Sequence, residues 1–297
     1  VNKIVECVPN FSEGCRQDVI DAIAGAISAV SGVTMLDYKG DADHNRSVVT
    51  FVASPEIVAD AAFAGIAKAA ELIDLTNHKG EHPRMGATDV VPFVPVRGVE
   101  MAECVEIARK LGERVGRELQ IPVFLYEEAA TRPERQNLAK VRKGQFEGLR
   151  EAIGVDPERK PDFGPEKIHP TAGATAIGAR EFLIAYNVNL ESNDLQLAKA
   201  IANKIREAKG GLPKVKAMGF EIAELGIVQV SMNLTNYKIT PIRTVFDAIE
   251  KEAEAAGVKI RNSELIGLAP QAALPSGEPE YLKIEPFNEK MIVENNL

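Results

Sequence analysis

One order of secondary-structure signals (strand, helix, strand, strand, helix, strand) is written twice along this chain, and few folds accommodate it. In the first half, Lys3 to Val8 reads as a short buried strand and Pro9 to Gly14 as a turn. Gln17 to Val30 then places Val19, Ile20, Ile23 and Ile27 at helical intervals. Val33 to Asp37 and Ser47 to Val52 read as strands on either side of a polar turn, Asp41 to Asn45. Ser54 caps and Pro55 opens a second helix that ends near Ile73, and Val90 to Val96 is the fourth strand. The second half repeats the order with strand Phe182 to Leu190, helix Asn193 to Ala208 and strand Lys214 to Glu221. Strand Gly226 to Leu234, helix Ile242 to Ala256, opened by Pro241, and strand Glu264 to Leu268 complete it.

Two tandem βαββαβ units predict an α+β protein built from ferredoxin-like subdomains, 1–178 and 179–297, with helices on one face of each sheet. The uncovered faces are expected to meet across a ligand cleft. Strand alternation puts Gln229, Ser231 and Asn233 on one face, and Asn187 and Asn189 likewise, which favours ligand contact over a merely wetted sheet. Between the repeats, Val99 to Leu119 reads as a helix, Pro122 to Tyr126 as a strand and Arg135 to Ile153 as a basic helical segment. Its Lys140, Arg142, Lys143 and Arg150 are read as a solvated surface. Val155 to Thr175, punctuated by four prolines, is a linker by composition, and the stretch after Pro270 is expected to pack loosely with one short strand or helix.

A formal charge of −8 argues against a nucleic-acid footprint and suits a small ligand better. Cys7, Cys15 and Cys104 are odd in number and lack C-x-x-C spacing, so they read as reduced thiols. No signal-peptide pattern opens the sequence, and no apolar run reaches the roughly 18 residues of a membrane span. The expectation is a cytoplasmic protein without a membrane partner.

The stretch from Thr76 to Asp89 carries the densest chemistry: two of the four histidines, His78 and His82, with Lys79, Glu81 and Arg84. Three readings compete. His78 and His82 have the spacing of a helical zinc pair, but Gly80 between them and Pro83 after them break a helix, and no metal is expected. A solvated loop is the plain alternative. The third reading is acid–base work by one histidine, with cationic neighbours holding an anionic substrate.

The string HKGEHPRMGATDVVPFVPV, from His78 to Val96, together with VECVPNFSEG at Val5 to Gly14, resembles the glutamate formimidoyltransferase family. The resemblance continues through DHNRSVVTFV at Asp43 to Val52, PDFGPEKIHPTAGATAIGAREFLIAYNVNL at Pro161 to Leu190 and LIGLAP at Leu265 to Pro270. It implies transfer of a formimidoyl group from N-formimidoyl-L-glutamate to tetrahydrofolate, in histidine degradation. It assigns the acid–base role to His82 and implies a homodimer. It also implies a folate segment over Phe163, Gly164, Pro165, Glu166, Lys167, Ile168, His169, Pro170, Thr171 and Ala172. We add Asn187, Gln229 and Ser231 as folate contacts, and His44, Asn45, Arg46, Lys79, Glu81 and Arg84 as contacts for the donor. Arg84 and Arg46 have the fork for a carboxylate, although either is equally suited to tying down its own loop.

One departure stands out. Where mammalian-type members of the resembled family carry an acid this chain has Lys39, and where they carry threonine it has His44; if that acid orients the catalytic histidine, Asp41 or Asp43 takes over here or the role is absent. Bifunctional relatives continue into a cyclodeaminase, and the sequence is expected to leave ammonia release to another enzyme. Competing readings are a glutamate formyltransferase using N-formylglutamate and 5-formyltetrahydrofolate, a folate carrier without turnover, and a metal hydrolase.

Overall fold

The computed structural model describes residues 3–80 and 83–296. They form a mixed α+β structure with two sheets, divided into the units Val1–Arg180 and Glu181–Leu297. The first unit runs β1 (Ile4–Cys7), β2 (Asn10–Phe11), α1 (Gln17–Ser28), β3 (Thr34–Asp41), β4 (Arg46–Ala53), α2 (Val58–Leu72) and β5 (Thr88–Arg97). It continues with α3 (Met101–Glu118), β6 (Val123–Glu127), α4 (Leu138–Val141), α5 (Gln145–Ala152) and β7 (Thr175–Ala179). The second unit runs β8 (Ile184–Leu190), α6 (Leu195–Ile205), β9 (Val215–Ile222), β10 (Ile227–Leu234), α7 (Ile242–Ala255), β11 (Ile260–Ile266) and α8 (Glu278–Tyr281).

In the first unit the β-branched and aromatic residues of β4 and β5 bury their side chains. Val19, Ile20, Ile23, Ala24 and Ile27 form the buried stripe of α1. The alanine-rich face of α2 lets it pack closely on α1, and each isoleucine removed from water contributes roughly 1.5–3 kcal/mol. β1 and β2 share one strand position between β4 and β5, both antiparallel to them. The turn expected from Pro9 is therefore only an interruption. Proline has no N–H to offer, yet its carbonyl accepts from Val49 N at 3.0 Å, and pairing resumes at Asn10.

Beyond β5 the sheet turns parallel: β7 pairs with β5 on one side and β6 on the other, with α3 as the crossover. The stretch 155–175 is consequently not a free linker. Val123 N donates to Phe163 O at 2.9 Å and Ala174 N to Met85 O at 2.9 Å, so both ends of it are stitched to the first sheet. Nor is the basic segment a uniformly solvated helix. Gly144 at φ +88 splits it into α4 and α5, and Arg135 is buried against Asp162 at 2.5 Å.

The second sheet is antiparallel throughout, in the order β11-β8-β10-β9, the fourth, first, third and second strands of its unit. The antiparallel part of the first sheet, β5-β1-β4-β3, has the same order. β11 begins at Ile260, earlier than the expected Glu264, because Ile260 and Ser263 already pair with Leu190 and Val188 of β8. The C-terminal stretch packs tightly: Ser263 Oγ donates to Leu282 O at 2.6 Å, and Leu282, Ile284, Ile292 and Val293 are buried.

On β1, Glu6 is only 3% exposed. Burial pushes its carboxyl from the ordinary 4.5 up to about 7, with Arg180 pulling the other way. A raised folded-state value means that the folded chain holds the proton where the unfolded chain has lost it. Stability from this group is thus complete below pH 4.5 and falls as pH rises from 4.5 to about 7. We expect the native chain to lose about 3 kcal/mol relative to Glu6→Gln across that interval. Urea denaturation of both proteins at several pH values measures it, and a difference that does not vary with pH would contradict the assignment.

Candidate active site

The loop singled out in the sequence leaves α2 through a 3-10 turn, Leu75–Asn77, capped by Asp74, whose carboxylate accepts from Thr76 N at 2.9 Å. His78, Lys79 and Gly80 follow, and Pro83 to Ala87 lead into β5. Glu81 and His82 lie outside the described residues.

On the near side the loop is fastened to the β3–β4 turn. Asn45, at φ +47, donates from Nδ2 to Lys79 O at 2.7 Å and accepts at Oδ1 from Gly14 N at 2.9 Å. His78 Nε2 lies 3.0 Å from Asn45 O. Contact is so close that a side-chain carbon on Gly80 would sit 2.5 Å from His44 O and 2.8 Å from Asn45 Cβ.

On the far side the fastening is Arg84, whose side chain is 11% exposed. Its Nη2 and Nη1 grip both oxygens of Glu147 at 2.7 and 2.9 Å, Nη1 also reaches Gln145 Oε1 at 3.0 Å, and Nε donates to His78 Nδ1 at 3.1 Å. Guanidinium nitrogens only donate, so His78 Nδ1 accepts and its proton sits on Nε2, directed at Asn45 O. Both ring nitrogens of His78 are therefore engaged within the protein, and the zinc-pair reading loses its first ligand. The guanidinium of Arg84 is engaged by its own surroundings, the arrangement of the loop-tying alternative.

Asp89 closes the arrangement. Its Oδ1 accepts from Met85 N at 2.9 Å, and its Oδ2 meets Arg142 Nη2 at 2.5 Å. Burial pushes the carboxyl above the usual carboxylate range, against the pull of Arg142 and of Arg46. Arg46, half-buried at the head of β4, faces Asp41 across the β3–β4 ladder, and burial together with Arg142 lowers its pKa. Asp41 also binds His44, accepting from its backbone N at 3.0 Å and lying 2.7 Å from its Nδ1. That places Asp41 as an orienting acid for His44. Lys39 pairs with Asp37 at the surface, and the side chain of Lys79 is exposed.

The expected folate segment divides in two. The ring of Phe163 packs over Gly112 and Val123 on the α3 side, and Phe163, Gly164 and Pro165 line a cavity of about 270 Å³ with Glu113, Arg117 and Gln120. Glu166 pairs with Lys160 at 2.8 Å, Lys167 is exposed and Ile168 is buried. Only the second part reaches the histidine loop. Thr171 O accepts from Leu75 N, Ala172 O accepts from Ala87 N, both at 2.9 Å, and Pro170 sits in the turn between. His169 Nδ1 accepts from Ala172 N at 3.0 Å and Thr171 N at 3.4 Å, and burial lowers its pKa.

In the second unit the strand amides share one face as the alternation predicts. Gln229 stands opposite Asn189, and Ser231 opposite Asn187. Gln229 Nε2 donates to Asn189 Oδ1 at 2.9 Å, while Asn189 Nδ2 donates to Asn262 Oδ1 and Glu264 Oε1, both at 3.0 Å. Gln229 and Asn189 thus join Asn262 and Glu264 in a hydrogen-bonded row, while Asn187 and Ser231 are half-buried and Asn233 is exposed.

Comparison with known proteins bears on what this arrangement serves. The profile described as "Formiminotransferase domain, N-terminal subdomain" matches residues 4–180, and "Formiminotransferase domain" matches residues 185–296. The chain belongs to the formiminotransferase family. It is 51% identical to a glutamate formimidoyltransferase of Streptococcus pyogenes serotype M1, over 99% of both chains. It is 50% identical to a glutamate formimidoyltransferase of Thermoplasma acidophilum, over 99% of this chain and 97% of the relative. A formimidoyltransferase-cyclodeaminase of Mus musculus is 47% identical over 92% of this chain, which spans 51% of that longer relative.

Four residues of this formiminotransferase fold that organise the loop were missed from the sequence: Asp89, Arg142, Gln145 and Glu147. Asp89 carried a signal, as a lone acid heading the apolar run Val90 to Val96. Arg142 and Glu147 lay in a segment whose charge pattern is that of any wet helix, and nothing local marks them. Among the described residues, no group of three or more His, Cys, Asp or Glu side chains is placed to hold a metal. No helix there is long and apolar enough to cross a membrane.

Because Asn45 already occupies a positive φ, Asn45→Gly keeps the backbone and removes only the two side-chain anchors. We expect a loss of about 1–2 kcal/mol in stability. Urea unfolding reads it, and an unchanged midpoint would show that the anchors contribute nothing.

Proposed function

We propose that this formiminotransferase is a folate-dependent glutamate formimidoyltransferase, giving 5-formimidoyltetrahydrofolate and L-glutamate from N-formimidoyl-L-glutamate and tetrahydrofolate. The observation that carries this is identity of 50–51%, over nearly full length, to two proteins named for that activity.

The chemistry needs little covalent help. A ring nitrogen of the folate attacks the formimidoyl carbon and a new C–N bond forms. The tetrahedral species then expels the glutamate nitrogen, breaking the old C–N bond. The attacking nitrogen must lose a proton and the departing one must gain it, so a single imidazole, with a reference pKa of about 6.5, serves as base and then as acid. We assign that imidazole to His82. Holding both substrates at one carbon supplies much of the remaining rate, since no protein-bound intermediate is required.

Donor binding is assigned to His44, Asn45, Arg46, Lys79 and Glu81. Arg84, gripped by Glu147 and Gln145, is assigned to holding the loop, and carboxylate recognition is assigned to Arg46 and Lys79. Folate contacts are assigned to Phe163 to Ala172 in the first unit and, separately, to Asn187, Gln229 and Ser231 in the second. The support for the former is that Thr171 and Ala172 lie against the residues flanking the loop. We take 1–178 and 179–297 as the two functional subdomains and read each as ferredoxin-like, which the shared strand order supports. A cytoplasmic setting is supported by three free cysteines, and a homodimer is carried over from the resemblance alone.

Steady-state assays with N-formimidoyl-L-glutamate and N-formyl-L-glutamate, each with tetrahydrofolate, test the reading. We expect the formimidoyl donor to be preferred and His82→Ala to lower kcat by about 10²- to 10⁴-fold while folate binding survives. A preference for the formyl donor would overturn the assigned substrate, and full turnover by His82→Ala would overturn the assigned base.

A further inference from the structure

We infer that Glu147, on α5, is a positioning residue that sets the loop carrying His82 by gripping Arg84 with both carboxylate oxygens. The inference rests on His82 being the acid–base group and adds a residue outside the loop to its machinery.

Residues 78 and 84 bracket the loop, and each is held by a different part of the first unit. His78 is tied to the β3–β4 turn through Asn45 O at 3.0 Å. Arg84 is tied to the start of α5 twice: its carbonyl accepts from Phe146 N at 3.0 Å, and its guanidinium takes Glu147 and Gln145. The Nε contact to His78 Nδ1, at 3.1 Å, joins the two brackets to each other. The result is one chain of hydrogen bonds, Asn45 to His78 to Arg84 to Glu147, that fixes residues 78 and 84 relative to each other. Holding these two flanking residues in place before substrate arrives is the kind of preorganisation that lowers the cost of reaching a reactive geometry.

Glu147 is the member on which the clamp turns. Among the described residues its carboxylate is the charged partner of Arg84, and it binds in the planar two-point mode that a guanidinium favours. Gln145 contributes a single neutral acceptor. The ion pair draws the Glu147 carboxyl below its ordinary range, so it is charged at neutral pH. Without that carboxylate, a nearly buried guanidinium is left with donors unmet, and it must turn towards water. Turning breaks the Nε contact that keeps His78 in register. Glu147 itself is 55% exposed, so its removal costs the fold little compared with what it costs the placement of the loop.

The test uses the full chain with Glu147→Ala, Glu147→Gln, Glu147→Asp, His82→Ala and the double variant Glu147→Ala/His82→Ala. Turnover of N-formimidoyl-L-glutamate with tetrahydrofolate, tetrahydrofolate affinity and melting temperature are measured for each. For Glu147→Ala we expect kcat to fall about 10- to 100-fold, with the KM of each substrate changed much less. Glu147→Asp, which keeps a two-point acceptor, should recover part of the loss, and Glu147→Gln less. In the His82→Ala background, adding Glu147→Ala should cost nothing more, since the group it places is gone. The proposal is overturned by wild-type kcat in Glu147→Ala, by a loss in proportion to lowered melting temperature that Asp does not relieve, or by a Glu147→Ala effect undiminished in the His82→Ala background. Failure of the underlying reading looks different: His82→Ala would itself keep turnover, whatever Glu147 does.

Discussion

A carboxylate that water cannot reach has to be answered by donors built into the fold, and Asp89 is answered from two directions. One oxygen takes the backbone N–H of Met85 and the other takes Arg142. The first bond sets how the chain enters β5 from the histidine loop; the second sets where α4 lies, and Gly144 immediately starts α5 from there. The position of Glu147 over Arg84 follows from that. Replace the buried pair by apolar residues and the sheet could be as stable, but nothing would tell the loop and the helices where to stand relative to one another.

The periodic elements were legible because burial repeats at the spacing of the backbone. α1 announces itself through Val19, Ile20, Ile23 and Ile27, and β10 through the alternation that sends Gln229, Ser231 and Asn233 to one face. What local pattern could not carry was pairing over distance. Prolines and glycines between 155 and 175 look the same in a tether and in a stretch stitched to a sheet, and only the bonds to Val123 and Met85 tell them apart. Arg135 and Arg142 were misjudged for the same reason: a basic residue on a short helix is solvated unless an acid 27 or 53 residues away is buried beneath it.

The candidate site divides along that line too. Its loop was evident from composition, since histidines, a lysine and an arginine gathered on one connection have few uses. Its organisation was not. Arg84 has every attribute of a carboxylate receptor for substrate, and the structure gives it a carboxylate from within the chain instead. Phe146 N holds Arg84 O at 3.0 Å, which brings the backbone beside α5 and within reach of Glu147.

β6 takes its sheet ladder from β7, which the ribosome makes about 50 residues later. Until Thr175–Ala179 has left the exit tunnel, β6 has no ladder to join. The same late stretch delivers Thr171, Ala172 and Ala174 to the flanks of the histidine loop. During synthesis the antiparallel core can therefore assemble well ahead of the flanks of the histidine loop, so a nascent chain halted before Thr171 would be folded in part with that loop still unbraced on one side.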